Sequence, residues 1–181
     1  MPFTLHPTLA RDTVFVSRLP LCHVLLMKDR RFPWLILVPE RDSVREIHEL
    51  SSEDRAELVE EIARVSEVLE RLFQPDKLNV GALGNVVPQL HVHAVARFAS
   101  DPAWPGPVWG SGPAEPYADS ELEEIRGRLA AAFQPEGNAA RIIREERSVG
   151  KRGRRLVERM RRRATTGMST EEILALTRRE N

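Results

Sequence analysis

Cysteine is nearly absent from this 181-residue chain: Cys22 stands alone, so no internal disulfide can form, which suits a reducing cytoplasm. No apolar run approaches the ~20 residues that cross a bilayer. The opening MPFTLHPTLARD lacks both the basic flank and the apolar stretch of a secretory signal, so a cytoplasmic location is the expectation. Net charge is absent too, with 27 Lys and Arg against 27 Asp and Glu, but the balance hides a split. Residues 136–181 carry 13 basic against 7 acidic side chains, leaving 14 against 20 before them. A basic segment is thus attached to an acidic body, either with partners of its own or lying on that body. There is no internal repeat. What remains, 41% hydrophobic and 30% charged residues, is ordinary for a soluble globular domain. The length suits one domain with an appendage and excludes two full catalytic domains.

Three β-branched or aromatic runs, 13–18 (TVFVSR), 22–27 (CHVLLM) and 34–38 (WLILV), are separated by Pro20 and by KDRRFP, and read as antiparallel strands joined by short turns. A polar loop with a short IHEL segment follows Pro39. Ser51 or Ser52 can cap a helix whose first turn holds Glu53 and Asp54. Leu58, Ile62, Val65, Val68, Leu69 and Leu72 continue at helical spacing, predicting one long helix across the sheet. LNVGALG at 78–84 reads as a strand entering a turn. QLHVHAVARF at 89–98 alternates strictly, placing Gln89, His91, His93 and Val95 on one face of a strand and Leu90, Val92, Ala94 and Ala96 on the other, toward the core under the helix. DPAWPGPVWGSGPAEP reads as an ordered loop pinned by Trp104 and Trp109, and a helix at about 119–133 closes a domain of residues 1–135. The fold class is therefore α+β: an antiparallel sheet of about five strands, one long helix packed across it, and a basic, helix-prone extension at 136–181.

The chemistry concentrates on one strand face. A carboxamide and two imidazoles at Gln89, His91 and His93 stand roughly 7 Å apart from one to the next and can grip one small anionic group together. A neutral imidazole is a competent nucleophile toward phosphorus, and a neighbouring imidazolium can stabilise charge on a phosphoryl oxygen and protonate a leaving group. Just upstream, Asn79, Gly81, Gly84 and Asn85 add two carboxamides and two glycines, which let the backbone approach a ligand and offer N–H groups to phosphate.

The string N-x-G-x-x-G-N-x-x-x-Q-x-H-x-H resembles the signature of the histidine triad family, as LVPERDSVREIHELSSED resembles that family's strand, proline and loop before its long helix. The resemblance covers about residues 10–110. It implies that His91 attacks the α-phosphorus of a nucleotide to give a nucleotidyl-histidine, and that His93 contacts the phosphoryl group. Asn79 and Asn85 fall on positions that orient ribose and phosphate. It also implies a homodimer acting on a dinucleoside polyphosphate, a nucleoside phosphoramidate or a similar substrate, with no cofactor beyond any Mg2+ carried on the phosphates. The chain departs from the pattern at several points. Gln89 replaces the first histidine; a uridylyl-transferring branch of the family likewise carries a glutamine, at its third triad position, and still uses the middle histidine. Val86 stands where a hydroxyl often assists the leaving group, and Asp42 where a histidine often follows the proline element. The residue that holds the ribose falls near Lys28 and Asp29.

Each reading has a plainer competitor. His91 and His93 could be buried, hydrogen-bonded strand histidines, or two ligands of a zinc ion, but no metal-type spacing links them to Cys22, His23, His6, His48 or carboxylates. Asn79 and Asn85 could be turn formers. Trp104 and Trp109 serve either as packing anchors or beside the nucleotide, with Trp104 taken as a candidate contact. Functionally, the alternatives to a hydrolase or nucleotidyl transferase are a nucleotide-binding regulatory module without turnover and an adaptor acting through the tail. That tail faintly resembles the toxin-binding tails of bacterial antitoxins, which implies a protein partner in a helix-in-groove mode. Nucleic-acid binding would rest on charge alone, since no aromatic residues interleave the arginines.

Overall fold

The computed structural model describes residues 3–134. The basic, helix-prone extension read at 136–181 lies outside the described residues. A short helix α1 (Pro7–Asp12) leads into β1 (Thr13–Arg18), β2 (Cys22–Met27) and β3 (Trp34–Pro39). A 3-10 turn (Ile47–Glu49), the long helix α2 (Ser52–Phe73), β4 (Lys77–Gly81), β5 (Val92–Arg97) and α3 (Asp119–Ala132) follow. The strands form one antiparallel sheet in the order β1-β2-β3-β5-β4.

Helix α2 starts where a side-chain acceptor meets its unsatisfied N–H groups: Ser51 accepts from the Asp54 N–H at 3.1 Å, and Glu53 and Asp54 face the positive helix end. It stops at Gln74, which takes a left-handed conformation (φ 51°) and donates its N–H to the Glu70 carbonyl. Leu58, Val65, Val68 and Leu69 are buried from α2, with Ile62 and Leu72 packed beside them. Glu61 lies on the same stripe, 2% exposed, because its carboxylate accepts the Leu21 N–H at 2.7 Å and ties the helix to the β1–β2 turn.

The two sheet faces carry separate cores. Val24, Leu26, Leu35, Leu37, Leu90, Val92, Ala94 and Ala96 join the α2 residues with Leu129 and Phe133 of the α3 region. On the opposite face Leu25, Trp34, Ile36, Val38 and Val95 pack with Leu9 of α1 and with Phe32, Val87 and Val108. The alternation read from residues 89–98 is therefore right about facing, and the face that carries His93 and Val95 is covered as well. The strand is also shorter than expected. Pro88 has no N–H, and the Leu90 N–H goes to the Val44 carbonyl at 3.0 Å, so pairing begins only at Val92.

The loop after β5 is anchored by a buried ion pair. Arg97, 1% exposed, donates from Nε and Nη2 to the two carboxylate oxygens of Asp101 at 2.7 and 3.0 Å, and from Nη1 to Asn79 Oδ1 at 2.7 Å. Asp101 also accepts the N–H groups of Phe98 and Ala103. Its guanidinium partner, first among these, holds the carboxyl below its ordinary range. Removing the carboxylate strands a buried cation, so Asp101→Ala should cost about 3–5 kcal/mol in urea unfolding near neutral pH. The depressed carboxyl contributes stability above the unfolded-state carboxylate range and loses it as pH falls, so the gap between parent and variant should narrow in acid. A loss under about 1 kcal/mol would mean that the loop does not depend on this pair.

Candidate functional site

His91 sits in the extended residue before β5, and His93 is the second residue of the strand, between Ile36 of β3 and Gly81 of β4. Their ring centroids lie 4.9 Å apart at 80°. Both are buried, at 5% and 7% exposure. The His91 Nδ1 lies 2.7 Å from the Gln89 carbonyl oxygen. A carbonyl only accepts, so the proton of the neutral ring is on Nδ1 and the lone pair on Nε2. His93 has the opposite arrangement: the Trp34 indole N–H donates to its Nδ1 at 3.0 Å, which puts the ring proton on Nε2. Burial above all, with repulsion from His91 when that ring is protonated, pushes the His93 pKa down to about 3, so this ring is a neutral N–H donor near pH 7.

Trp109 closes the site from the loop side, its ring 5.6 Å from His93 and 6.1 Å from Trp34. Gly81 makes this approach feasible, since a Cβ there would stand 3.2 Å from Trp109 Cη2 and 3.3 Å from Leu83 Cδ1. The loop reaches this position through Gly110 and Gly112, at φ 85° and 111°, conformations natural to glycine. The Trp109 indole N–H is buried without a hydrogen-bond partner.

Several residues read as ligand contacts have hydrogen-bond partners within the fold. Gln89 shares the approach to β5 with His91, yet its carboxamide turns to the N-terminal segment: Nε2 donates to the Thr4 carbonyl at 3.0 Å and Oε1 accepts the His6 N–H at 2.9 Å. It takes both main-chain groups flanking Leu5, as a neighbouring strand would. Its contribution to His91 comes through its own main-chain carbonyl. The side-chain oxygen of Asn79 accepts from Arg97. Asp29 is buried and accepts from the Arg31 guanidinium and from the N–H groups of Arg31 and Glu115, a clasp between the 28–33 and 111–115 loops. Lys28 donates to the Arg11 carbonyl at 2.7 Å. Trp104 lies over Arg97, 5.8 Å from its guanidinium carbon. Gly84 and Asn85 are exposed in the turn before His91, where a Cβ on Gly84 would meet only the Val87 carbonyl at an ordinary 3.5 Å. The fold itself does not demand that glycine.

Trp34 is the functional neighbour that the sequence reading missed. The signal was in the β3 alternation, because Trp34 pairs with Val95 and thus shares the face of His93. Among the described residues, no group of three or more His, Cys, Asp or Glu side chains is placed to hold a metal ion. No helix among them is long and apolar enough to cross a membrane.

With this geometry in view, comparison with known proteins gives a consistent result. The family model described as the HIT domain matches residues 9–100, just over half of the chain. A histidine triad protein from Bradyrhizobium japonicum is 42% identical, with a TM-score of 0.72 over 74% of this chain and 100% of that one. Those from Marinobacter aquaeolei VT8 and Sinorhizobium meliloti 1021 are 46% and 48% identical, with TM-scores of 0.71 and 0.69, covering 74% and 70% of this chain and 97% and 94% of theirs. A bis(5'-nucleosyl)-tetraphosphatase (asymmetrical) from Schizosaccharomyces pombe is 26% identical over 104 residues, 55% of this chain and about half, 51%, of that protein.

Two measurements test the site. In 15N-edited spectra, His93 should show an unprotonated Nδ1 and no titration between roughly pH 5 and 8; a midpoint in that window would contradict the indole-to-imidazole bond. Gln89→His installs the histidine that the family pattern carries, but the donor and acceptor of an imidazole face different directions and cannot flank Leu5 together. Loss of two hydrogen bonds should cost about 1–3 kcal/mol in thermal or urea unfolding. A variant as stable as the parent would show that the clamp is dispensable.

Proposed function

This chain belongs to the histidine triad (HIT) family, and we propose that it is a nucleotide phosphate hydrolase or nucleotidyl transferase that works through a nucleotidyl intermediate on His91. One observation carries the reading: the Nδ1–H of His91 is committed to the Gln89 carbonyl, so Nε2 presents its lone pair beside a neutral N–H donor on His93. A phosphoryl group lying against both would have its phosphorus at the His91 lone pair and an oxygen at the His93 Nε2–H. In the first step the Nε2–P bond forms as the bond from phosphorus to the departing oxygen breaks, and the leaving phosphate carries off the electron pair. The ring becomes cationic, and the Gln89 carbonyl already points at the N–H that shares this charge, so stabilisation is built in before reaction. In the second step water, or another acceptor, attacks phosphorus and loses its proton; the N–P bond breaks and the neutral ring returns.

The His93 donor needs no proton from solution, because its neutral form bears the N–H. An unpartnered buried donor such as the Trp109 indole N–H is a kind of exception that turns up at working sites. The Schizosaccharomyces pombe relative favours a dinucleoside tetraphosphate as the first substrate to try. A homodimer belongs to the same proposal: β4 ends the sheet, and Val80 on it is 48% exposed.

Incubation with a dinucleoside tetraphosphate, followed by intact-mass analysis, should reveal one nucleotidyl adduct per chain. His91→Ala should abolish the adduct and lower turnover at least about 10^3-fold. An adduct that survives in the variant would overturn the assignment of the nucleophile, and tight nucleotide binding without adduct or turnover would favour a regulatory binding module.

A further inference from the structure

A pocket of about 550 Å³ opens beside Gln89, within the size range of small-molecule sites, and no step of the proposed reaction uses it. Its walls come from three stretches distant in sequence. Leu5 and Pro7 lie on the N-terminal segment, Val44 and Arg45 on the loop after β3, and Pro88 on the approach to His91. Hydrogen bonds join the three. The Gln89 carboxamide holds the main chain at Thr4 and His6, and the Leu90 N–H holds the Val44 carbonyl. Ser43 on the rim has φ 63°, an uncommon conformation for a non-glycine residue and one that costs folding energy where it persists. The cavity is thus a built one, sharing Gln89 with the support of the His91 ring.

Its polar lining is biased toward donors. Thr8 donates its N–H to His6 Nδ1, which leaves the proton of the neutral ring on Nε2. Arg45 lines the pocket, and among the described residues no carboxylate lies within ion-pair distance of its guanidinium. Nearby acceptors are engaged: the Thr4 carbonyl accepts from Gln89, Gln89 Oε1 from the His6 N–H, and Glu49 Oε2 from the Arg45 and Glu46 N–H groups. Four apolar walls with a cation that has no ion-pair partner among the described residues suit a flat, largely apolar body attached to phosphate. The pocket begins at Gln89, two residues or roughly 7 Å along the chain from His91, so the body and the attacked phosphorus can belong to one molecule.

Resting on the reaction proposed above, we infer that this pocket is a second-nucleoside subsite, which takes the distal nucleoside of a dinucleoside polyphosphate while Arg45 engages the phosphate next to it. Gln89 then has two tasks, supporting the His91 ring through its carbonyl and fastening the pocket wall through its carboxamide. Discrimination between dinucleoside and mononucleoside substrates follows from the second.

The test is calorimetric titration of full-length His91→Ala, which leaves the ligand intact, with a dinucleoside tetraphosphate and with the matching mononucleoside tetraphosphate. The second nucleoside should tighten binding by at least about tenfold. Adding Arg45→Glu, or Val44→Trp to fill the cavity, should shrink that advantage to within about twofold, with the fold checked by circular dichroism. Equal affinity for the two ligands, or an advantage that survives both substitutions, would overturn the subsite and leave the His91 reading standing. Failure to bind either ligand would overturn both.

Discussion

A hydrogen bond of 2.7 Å from an imidazole to the carbonyl two residues earlier decides which nitrogen of His91 carries the lone pair. An imidazole in water exchanges freely between tautomers, and only one of them presents Nε2 as a nucleophile. Fixing that choice with a main-chain carbonyl costs no side chain and survives replacement of the residue that supplies it. Glutamine at position 89 is therefore compatible with the role proposed for His91, because the main-chain carbonyl that fixes the ring is common to every amino acid. The side chain is released for another use, and here it fastens the N-terminal segment.

The second constraint is burial. A strand with one open face would expose His93 to water and let it titrate near neutrality, whereas here Trp34, Trp109 and the cluster beyond them shut that face. Desolvation penalises the charged imidazole, and the Trp34 N–H occupies the nitrogen that would take a proton. Packing and hydrogen bonding therefore push in the same direction, toward a neutral ring with its N–H on Nε2. The proline-rich loop that supplies Trp109 is held by the Arg97–Asp101 pair, so an ion pair four to eight residues from His93 along the chain acts on the site through the loop's position.

Much of this was legible in the sequence, because the signals were periodic. The α2 stripe from Leu58 to Leu72 and the alternation from Gln89 to Ala96 each repeat a spacing that only one kind of element satisfies. The serine cap and the three early strands were legible for similar local reasons. Helix α1 was not: six residues give too little periodicity, and its fold-specific feature, a cap from the His6 ring to the Thr8 N–H, has no standard sequence mark. Polar residues were the harder class. Asn79, Asp29 and Lys28 stand at positions where a family pattern places ligands, but their partners are Arg97, Arg31 with Glu115, and the Arg11 carbonyl. A sequence shows that a carboxamide or a carboxylate is present without showing which long-range donor reaches it first. Trp34 illustrates the reverse error, since it reads as core and is core, while its one polar atom sets the tautomer of His93.

Asp29 and the side-chain oxygen of Asn79 are hydrogen-bonded inside the protein, to Arg31 with Glu115 and to Arg97. The supply that remains near the histidines is of another kind: the backbone of the exposed 82–86 turn, where Gly84 leaves room that the fold does not require, and the donors of the flanking pocket. Main-chain N–H groups and an arginine select for phosphate and are tolerant of the base attached to it. In the reaction proposed above, such an arrangement would discriminate by the number and reach of phosphates more than by the identity of the nucleobase, with the Gln89 clamp that fastens the pocket wall setting that preference.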